Sequence, residues 1–207
     1  MTNNSKPKST KKKIFLTIVI LVLTLPSAAV VFMAWSGFFS NAKVSEQRMG
    51  PYCLIYADYS GPYGGARSTM DSIQNVLQKK EGIKASDKFI LYESNPRNYE
   101  TESLKAQAGV VLTGSDTTYA IELREKYNVR FIESQEFVTA KIPFRSGISL
   151  FAGRIKIYPA IINYKKQHLL KDAPFIEIYS SNKKVQYLSP SHPTGKALQG
   201  NLKAKQS

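Results

Sequence analysis

The 207-residue chain is 43% hydrophobic and 21% charged, which supports one packed domain with appendages. Its formal net charge of +14 invites a nucleic-acid reading, but the excess sits at the two ends: residues 1–13 and 183–207 each hold five lysines and no acid, leaving 19 bases against 15 acids between them. With no helix-turn-helix, zinc or RNA-binding aromatic spacing, no nucleic-acid partner is expected; the single Cys53 precludes an internal disulfide, and His168 and His192 lie too far apart to suggest a metal, so no metal or cofactor is expected either.

Residues 1–13 read as a basic flank. Residues 14–39 follow with no charged side chain over 26 positions. About 20 apolar residues at 1.5 Å rise cross a ~30 Å hydrocarbon core, so this segment is expected to be a transmembrane helix. Pro26 is tolerable in a membrane helix, and Trp35 suits an interfacial anchor. The competing reading is a signal peptide cleaved near Ser27-Ala28-Ala29, but the apolar run continues through 30–35, beyond what such a peptide needs. The lysine-rich flank predicts a single-pass protein with a cytoplasmic N-terminus and its soluble domain on the non-cytoplasmic side.

Residues 40–50 read as a polar linker and 51–190 as the domain. Branched and aromatic residues predict a strand over 52–59, followed by turn chemistry at Gly61-Pro62-Tyr63. Met70, Ile73, Val76 and Leu77 place a helix over 67–80. Strands follow at 89–93 and 107–113, then a helix capped by Asp116 running to about 127, and a short extended piece at 130–132. The order then recurs: a strand over 137–144, a long helix over 149–169 with Phe151, Ile155, Tyr158 and Ile162 on one stripe, and strands at 175–179 and 185–188. Pro159 predicts a break in that helix, because it cannot donate to the carbonyl of Ile155. The Lys-rich stretch 191–207 reads as a disordered tail.

The halves also match as sequence. DKFILYESNP at 87–96 aligns with APFIEIYSSN at 173–182 by a shift of 86. The fold class expected is therefore α+β, a duplicated β-α-β-β unit behind one transmembrane helix, with a ligand groove where the repeats meet. Alternation puts Ile176 and Ile178 on one face, assigned to the helix side, and Phe175, Glu177 and Tyr179 on the other. Under the 86-residue shift Leu91 stands where Glu177 stands. A carboxylate between aromatics on a short strand either lies solvated or paired, or it is buried as a cation or proton site.

Three segments together resemble the GyrI-like family: a strand running into Gly61-Pro62-Tyr63; the long helix followed by Pro174-Phe175-Ile176-Glu177-Ile178-Tyr179; and a last strand ending Tyr187-Leu188-Ser189-Pro190. Within it, LFAGRIKIYPAIINY at 150–164 and the N-terminal anchor resemble the membrane-anchored subgroup of testis-expressed ER-phagy receptors. The resemblance covers about residues 49–190. It implies a cleft for small, often apolar or cationic molecules, with Glu177, Phe175, Tyr179 and Tyr63 as ligand-binding residues. The sequence shows no DNA-binding motif ahead of the domain, and the tail lacks the acidic character of the ER-phagy receptors, so neither a transcriptional nor an autophagy role is expected. Three functions follow. The first is a membrane-tethered binding or sensing domain for a small molecule. The second is an adaptor binding a protein partner through a sheet edge or the tail. The third is a hydrolase with Glu177 as its acid/base, and the chain shows no G-x-S-x-G to support it.

Overall fold

A computed structural model describes residues 9–35, 43–93, 104–113, 120–192 and 201–202. Helix α1 (Ser9–Trp35) contains the predicted apolar segment as far as Trp35. Within it, Lys12–Trp35 is long and apolar enough to cross a membrane, and none of that stretch is buried against the domain. Its hydroxyls are satisfied inside the helix: Thr17 donates to the Lys13 carbonyl, Thr24 to Ile20 and Ser27 to Leu23. Hydroxyls bonded back to the preceding turn are tolerated where no water is available.

The domain is α+β. Its antiparallel strands are β1 (Ser45–Met49), β2 (Tyr52–Gly61), β3 (Asp87–Tyr92), β4 (Leu104–Leu112), β5 (Asn128–Ile132), β6 (Gln135–Pro143), β7 (Phe175–Ser180), β8 (Lys184–Pro190) and the two-residue β9 (Asn201–Leu202). They form one sheet in the order β1-β6-β8-β7-β3-β4-β2-β5-β9. Strands β1 and β2 lie far apart in this order, yet only Gly50 and Pro51 join them; Glu133 and Ser134 alone join β5 to β6. Links this short reach only ~11 Å, so the sheet must curl until its two halves approach. The Tyr52 and Phe137 rings meet edge to face at 6.4 Å across that approach. The inside of the curl is packed by Leu54, Phe89, Leu91, Phe137, Ile176 and Ile178.

Helix α2 (Ala66–Lys80) packs on the outside of the curl through Ala66, Met70 and Leu77. The short α3 (Ala120–Leu123) packs beside it. On the other half lie α4 (Gly147–Ala152), a π-helical turn (Gly153–Ile157) and α5 (Tyr158–Gln167). The β-α-β-β order thus occurs twice, and the two units meet at the β3–β7 pair.

Several expectations need correction. The supposed linker contains β1, an edge strand paired with β6; half-buried Ser45 and Met49 give the strand enough hold. The stripe Phe151-Ile155-Tyr158-Ile162 is out of phase. Leu150, Gly153, Ile157, Tyr158, Ile161 and Lys165 are buried, whereas Phe151 and Ile155 are 57% and 47% exposed. The cause is the π turn ahead of Pro159: the proline leaves the Ile155 carbonyl without its usual donor, and the widened turn slips the buried stripe by one residue. Ile157 and Tyr158, adjacent in sequence, are therefore both buried.

The face assignment of β7 is reversed. Ile176 and Ile178 point into the curl, while Phe175 and Tyr179 join the helix-side core with Met70, Tyr158 and Ile161. An even shift of 86 would put Leu91, which faces into the curl, on the same face as Glu177. An odd shift is required to preserve faces, so Leu91 is not the counterpart of Glu177. Asp116 and residues 193–200 and 203–207 of the tail lie outside the described residues.

Candidate functional site

Strand β7 reads Phe-Ile-Glu-Ile-Tyr-Ser, and alternation sends Phe175, Glu177 and Tyr179 toward α5. Glu177 is fully buried, at 0% exposure. Three phenols donate to it: Tyr158 from the start of α5 to Oε1 at 2.5 Å, Tyr179 to Oε2 at 2.5 Å, and Tyr92 from β3 to Oε2 at 3.3 Å. The register explains the convergence. Glu177 lies opposite Ile90 on β3 and opposite Tyr187 on β8, and Tyr92 lies two residues along from Ile90 on the same face. The carboxylate therefore sits where the two repeats meet.

An aromatic wall surrounds it. Tyr158 packs edge-on against Phe175 at 4.8 Å and against Tyr187 at 5.5 Å. Tyr179 packs edge-on against Phe144 at 5.7 Å, and the Arg67 guanidinium caps Phe144 from 4.9 Å. Tyr187 is buried, and its phenol oxygen has no hydrogen-bond partner among the described residues. Burial first, and the Glu177 charge second, push its pKa up. The phenol lies over Gly153, where a Cβ would stand only 1.9 Å from its oxygen, so the glycine in the π turn makes room for the ring. Just upstream, the Ser149 hydroxyl accepts the backbone N–H groups of Arg145 and Ser146 and fixes the entry to α4.

Of the four residues singled out from sequence, the structure brings Glu177, Phe175 and Tyr179 together. Tyr63 opens the 3-10 turn Tyr63–Gly65, and its side chain lies outside the described residues. The sequence reading did not place Tyr92, Tyr158 and Tyr187 in the site. Strand register would have found Tyr187 and Tyr92; Tyr158 already stands on the predicted apolar stripe of the helix, and only the reversed face of β7 kept it from Glu177.

A second buried charge lies on the same repeat. Lys165 of α5 is 2% exposed and donates to Ser189 Oγ at 2.9 Å and to the Pro190 carbonyl at 2.7 Å. Desolvation lowers its pKa to about 8, against weaker opposing pulls from Asp172 and Glu46. A cleft of about 550 Å³ opens elsewhere, between the end of α2 and α3, lined by Glu81, Ile83, Glu122, Leu123, Glu125 and Lys126; it contains none of the expected site residues. Among the described residues no cluster of three His, Cys, Asp or Glu could hold a metal ion.

No family model matches the chain. Over 180 residues it is 22% identical to human testis-expressed protein 264, a match covering 83% of this chain and 54% of that protein. Against the mouse homolog it is 23% identical over 167 residues, covering 77% and 52%. The chain thus spans about half the length of the curated relatives it matches. Among solved structures, the EcmrR C-terminal domain superposes with a TM-score of 0.54 at 11% identity, covering 74% of this chain and 99% of that domain. EcmrR in its DNA complex gives the same TM-score and identity over 92% of this chain and 74% of that one. At such identity the likeness is one of fold, and the fold is GyrI-like.

Proposed function

We propose that the chain is a membrane-anchored GyrI-like domain that binds a small cationic or amphipathic molecule. In this reading α1 crosses the bilayer with the lysine-rich N-terminus on the cytoplasmic side and the domain on the other. An anchor just before the domain is what the sequence shares with the membrane-anchored subgroup it resembles; the orientation rests on the lysine-rich flank alone. Glu177 reads the ligand's charge. Tyr92, Tyr158, Tyr179 and Tyr187 wall the site and Phe175 backs it; Tyr63 is the further ligand-binding residue that the family resemblance implies.

The observation that carries this reading is the burial of Glu177 in a ring of phenols at the repeat junction. Taking a carboxylate out of water costs several kcal/mol before its hydrogen bonds are counted, and an apolar residue would fill the same space without that cost. Strongly buried ionisable groups cluster at functional sites for this reason. An entering cation neutralises the carboxylate directly, and each ring face adds about 0.5–2 kcal/mol of cation–π attraction. The phenols that held Glu177 then present their oxygens and ring faces to the cation and donate to water or to an acceptor on the ligand. The free Tyr187 hydroxyl offers a further donor or acceptor on the same wall.

The test is a thermal-shift panel on the full chain in nanodiscs, with matched cationic, neutral and anionic amphiphiles. Cationic members should raise the midpoint of the wild type and leave Glu177→Gln unmoved. Equal shifts for both proteins, or shifts independent of ligand charge, would remove Glu177 from the account.

A further inference from the structure

We propose that the outer face of α4 and the π turn is a membrane-docking surface, and that its occupant is the anionic headgroup layer of the bilayer that holds α1. The proposal rests on the reading of α1 as a membrane anchor and adds to it a fixed contact between domain and lipid.

Three observations converge on that face. The first is attachment. Arg145 donates through Nη1 to the Trp35 carbonyl at 2.6 Å, and its guanidinium lies 6.0 Å from the Trp35 ring. Trp35 in turn stacks on Phe32 at 5.9 Å. The last carbonyls of a helix lack intrahelical donors, so Arg145 satisfies one of them where α1 ends. A tryptophan ending a membrane-spanning helix sits at headgroup depth, which places Arg145 at that depth too. Helix α4 starts only two residues later.

The second observation is composition. Phe151 and Ile155, one helical turn apart, are 57% and 47% exposed, while Leu150 and Ile157 beside them are buried. The π turn that slipped the buried stripe is what leaves these two outward. Arg154 and Lys156 lie between and after them, each half-buried. Large apolar side chains flanked by Arg and Lys on one short helical face form the pattern of an interfacial segment.

The third is charge. Residues 137–171 carry seven Lys and Arg and no Asp or Glu, and six of them, all but the buried Lys165, reach the surface. The middle of the chain is otherwise nearly balanced, so this is the concentration of positive charge within the folded domain. Basic residues at a membrane surface are attracted to anionic lipid by an amount that falls away within a Debye length. An attachment at Arg145 holds this face within that range.

The experiment uses the full chain in phosphatidylglycerol-containing nanodiscs with an environment-sensitive fluorophore on a single introduced cysteine. Burial pushes the Cys53 thiol up to about 11, so it labels slowly, and the parent chain taken through the same labelling sets the background. Leu21→Cys reports insertion of α1, Phe151→Cys reports docking, and Ile121→Cys on α3, in the other half of the sheet, is the control. Nitroxide lipids should quench position 21 at mid-chain depth and position 151 at headgroup depth, and leave position 121 bright. Pure phosphatidylcholine, or Arg154→Gln with Lys156→Gln, should lower the docked-to-undocked ratio about fivefold per charge removed. Quenching at 21 with none at 151 beyond that at 121 overturns the docking and leaves the anchor standing. No quenching at 21 overturns both.

Discussion

The two repeats share one plan and differ in what they bury. In the first, α2 runs without interruption and lays Ala66, Met70 and Leu77 on the sheet, and its last-turn lysines, Lys79 and Lys80, are exposed. In the second, the helix breaks at a π turn, and both Glu177 and Lys165 are buried. The first half buries one charge, Arg130 on β5, over the Tyr56 ring. The second holds two charges out of water, each satisfied by neutral hydroxyls or a carbonyl. In the proposed function, the irregular half of the duplicated fold is the half that reads the ligand.

Gly109 in the first repeat and Gly153 in the second are both demanded by close approach, and substituting them separates the two halves. At Gly109 on β4 a Cβ would lie 1.9 Å from the Ile55 carbonyl oxygen, a backbone atom that cannot step aside. Gly109→Ala should cost about 3 kcal/mol or more in chemical denaturation by forcing β2 and β4 apart. An unchanged midpoint would mean that the β2–β4 pairing is looser than described. Gly153→Ala meets a side chain, the Tyr187 phenol, and recovers about 1 kcal/mol of helix propensity, so its net cost should be smaller, about 2 kcal/mol. It should also impair cation binding, because the ring it displaces belongs to the site, whereas Gly109→Ala should leave affinity intact in the folded fraction.

Lys165 gives a pH signature opposite in sign to that of Cys53 and Tyr52 in the first repeat. Its folded pKa of about 8 lies below the ordinary lysine value of 10.5. Below pH 8 both states hold the proton and the fold bears the full cost of burying the charge. Between about 8 and 10.5 the unfolded chain binds a proton that the folded chain does not, so stability from this group rises with pH. The rise should total roughly 3 kcal/mol. Taken as the difference between wild type and Lys165→Met, it is free of Cys53 and the tyrosines, whose raised pKa values act in the opposite sense. A flat difference curve would show that the lysine is solvated.

Much of this was legible before any coordinates. The apolar helix, the doubled β-α-β-β order and the oddity of a glutamate in an Ile-rich strand all follow from composition and alternation. The side of the sheet that Glu177 faces did not, because the curled sheet is apolar on both faces and alternation alone cannot tell inside from outside. Its neighbours were hidden for related reasons. Tyr187 and Tyr92 come to Glu177 through register across two strand pairs, and Tyr158, already on the helix's apolar stripe, comes to it once β7 is faced toward the helix. Residues 45–49 look like a linker because an edge strand with three exposed residues has no hydrophobic pattern to show.

The most direct test of the central claim is calorimetric titration of a lipophilic quaternary ammonium ion into nanodiscs carrying the full chain, wild type against Glu177→Gln, with empty nanodiscs subtracted. If the buried carboxylate reads cationic charge, saturable binding to the wild type should weaken at least about tenfold in the variant, a loss of about 1.4 kcal/mol, while the fold is retained. Equal affinity in the two proteins would contradict the account and leave Glu177 as a structural tie between the repeats.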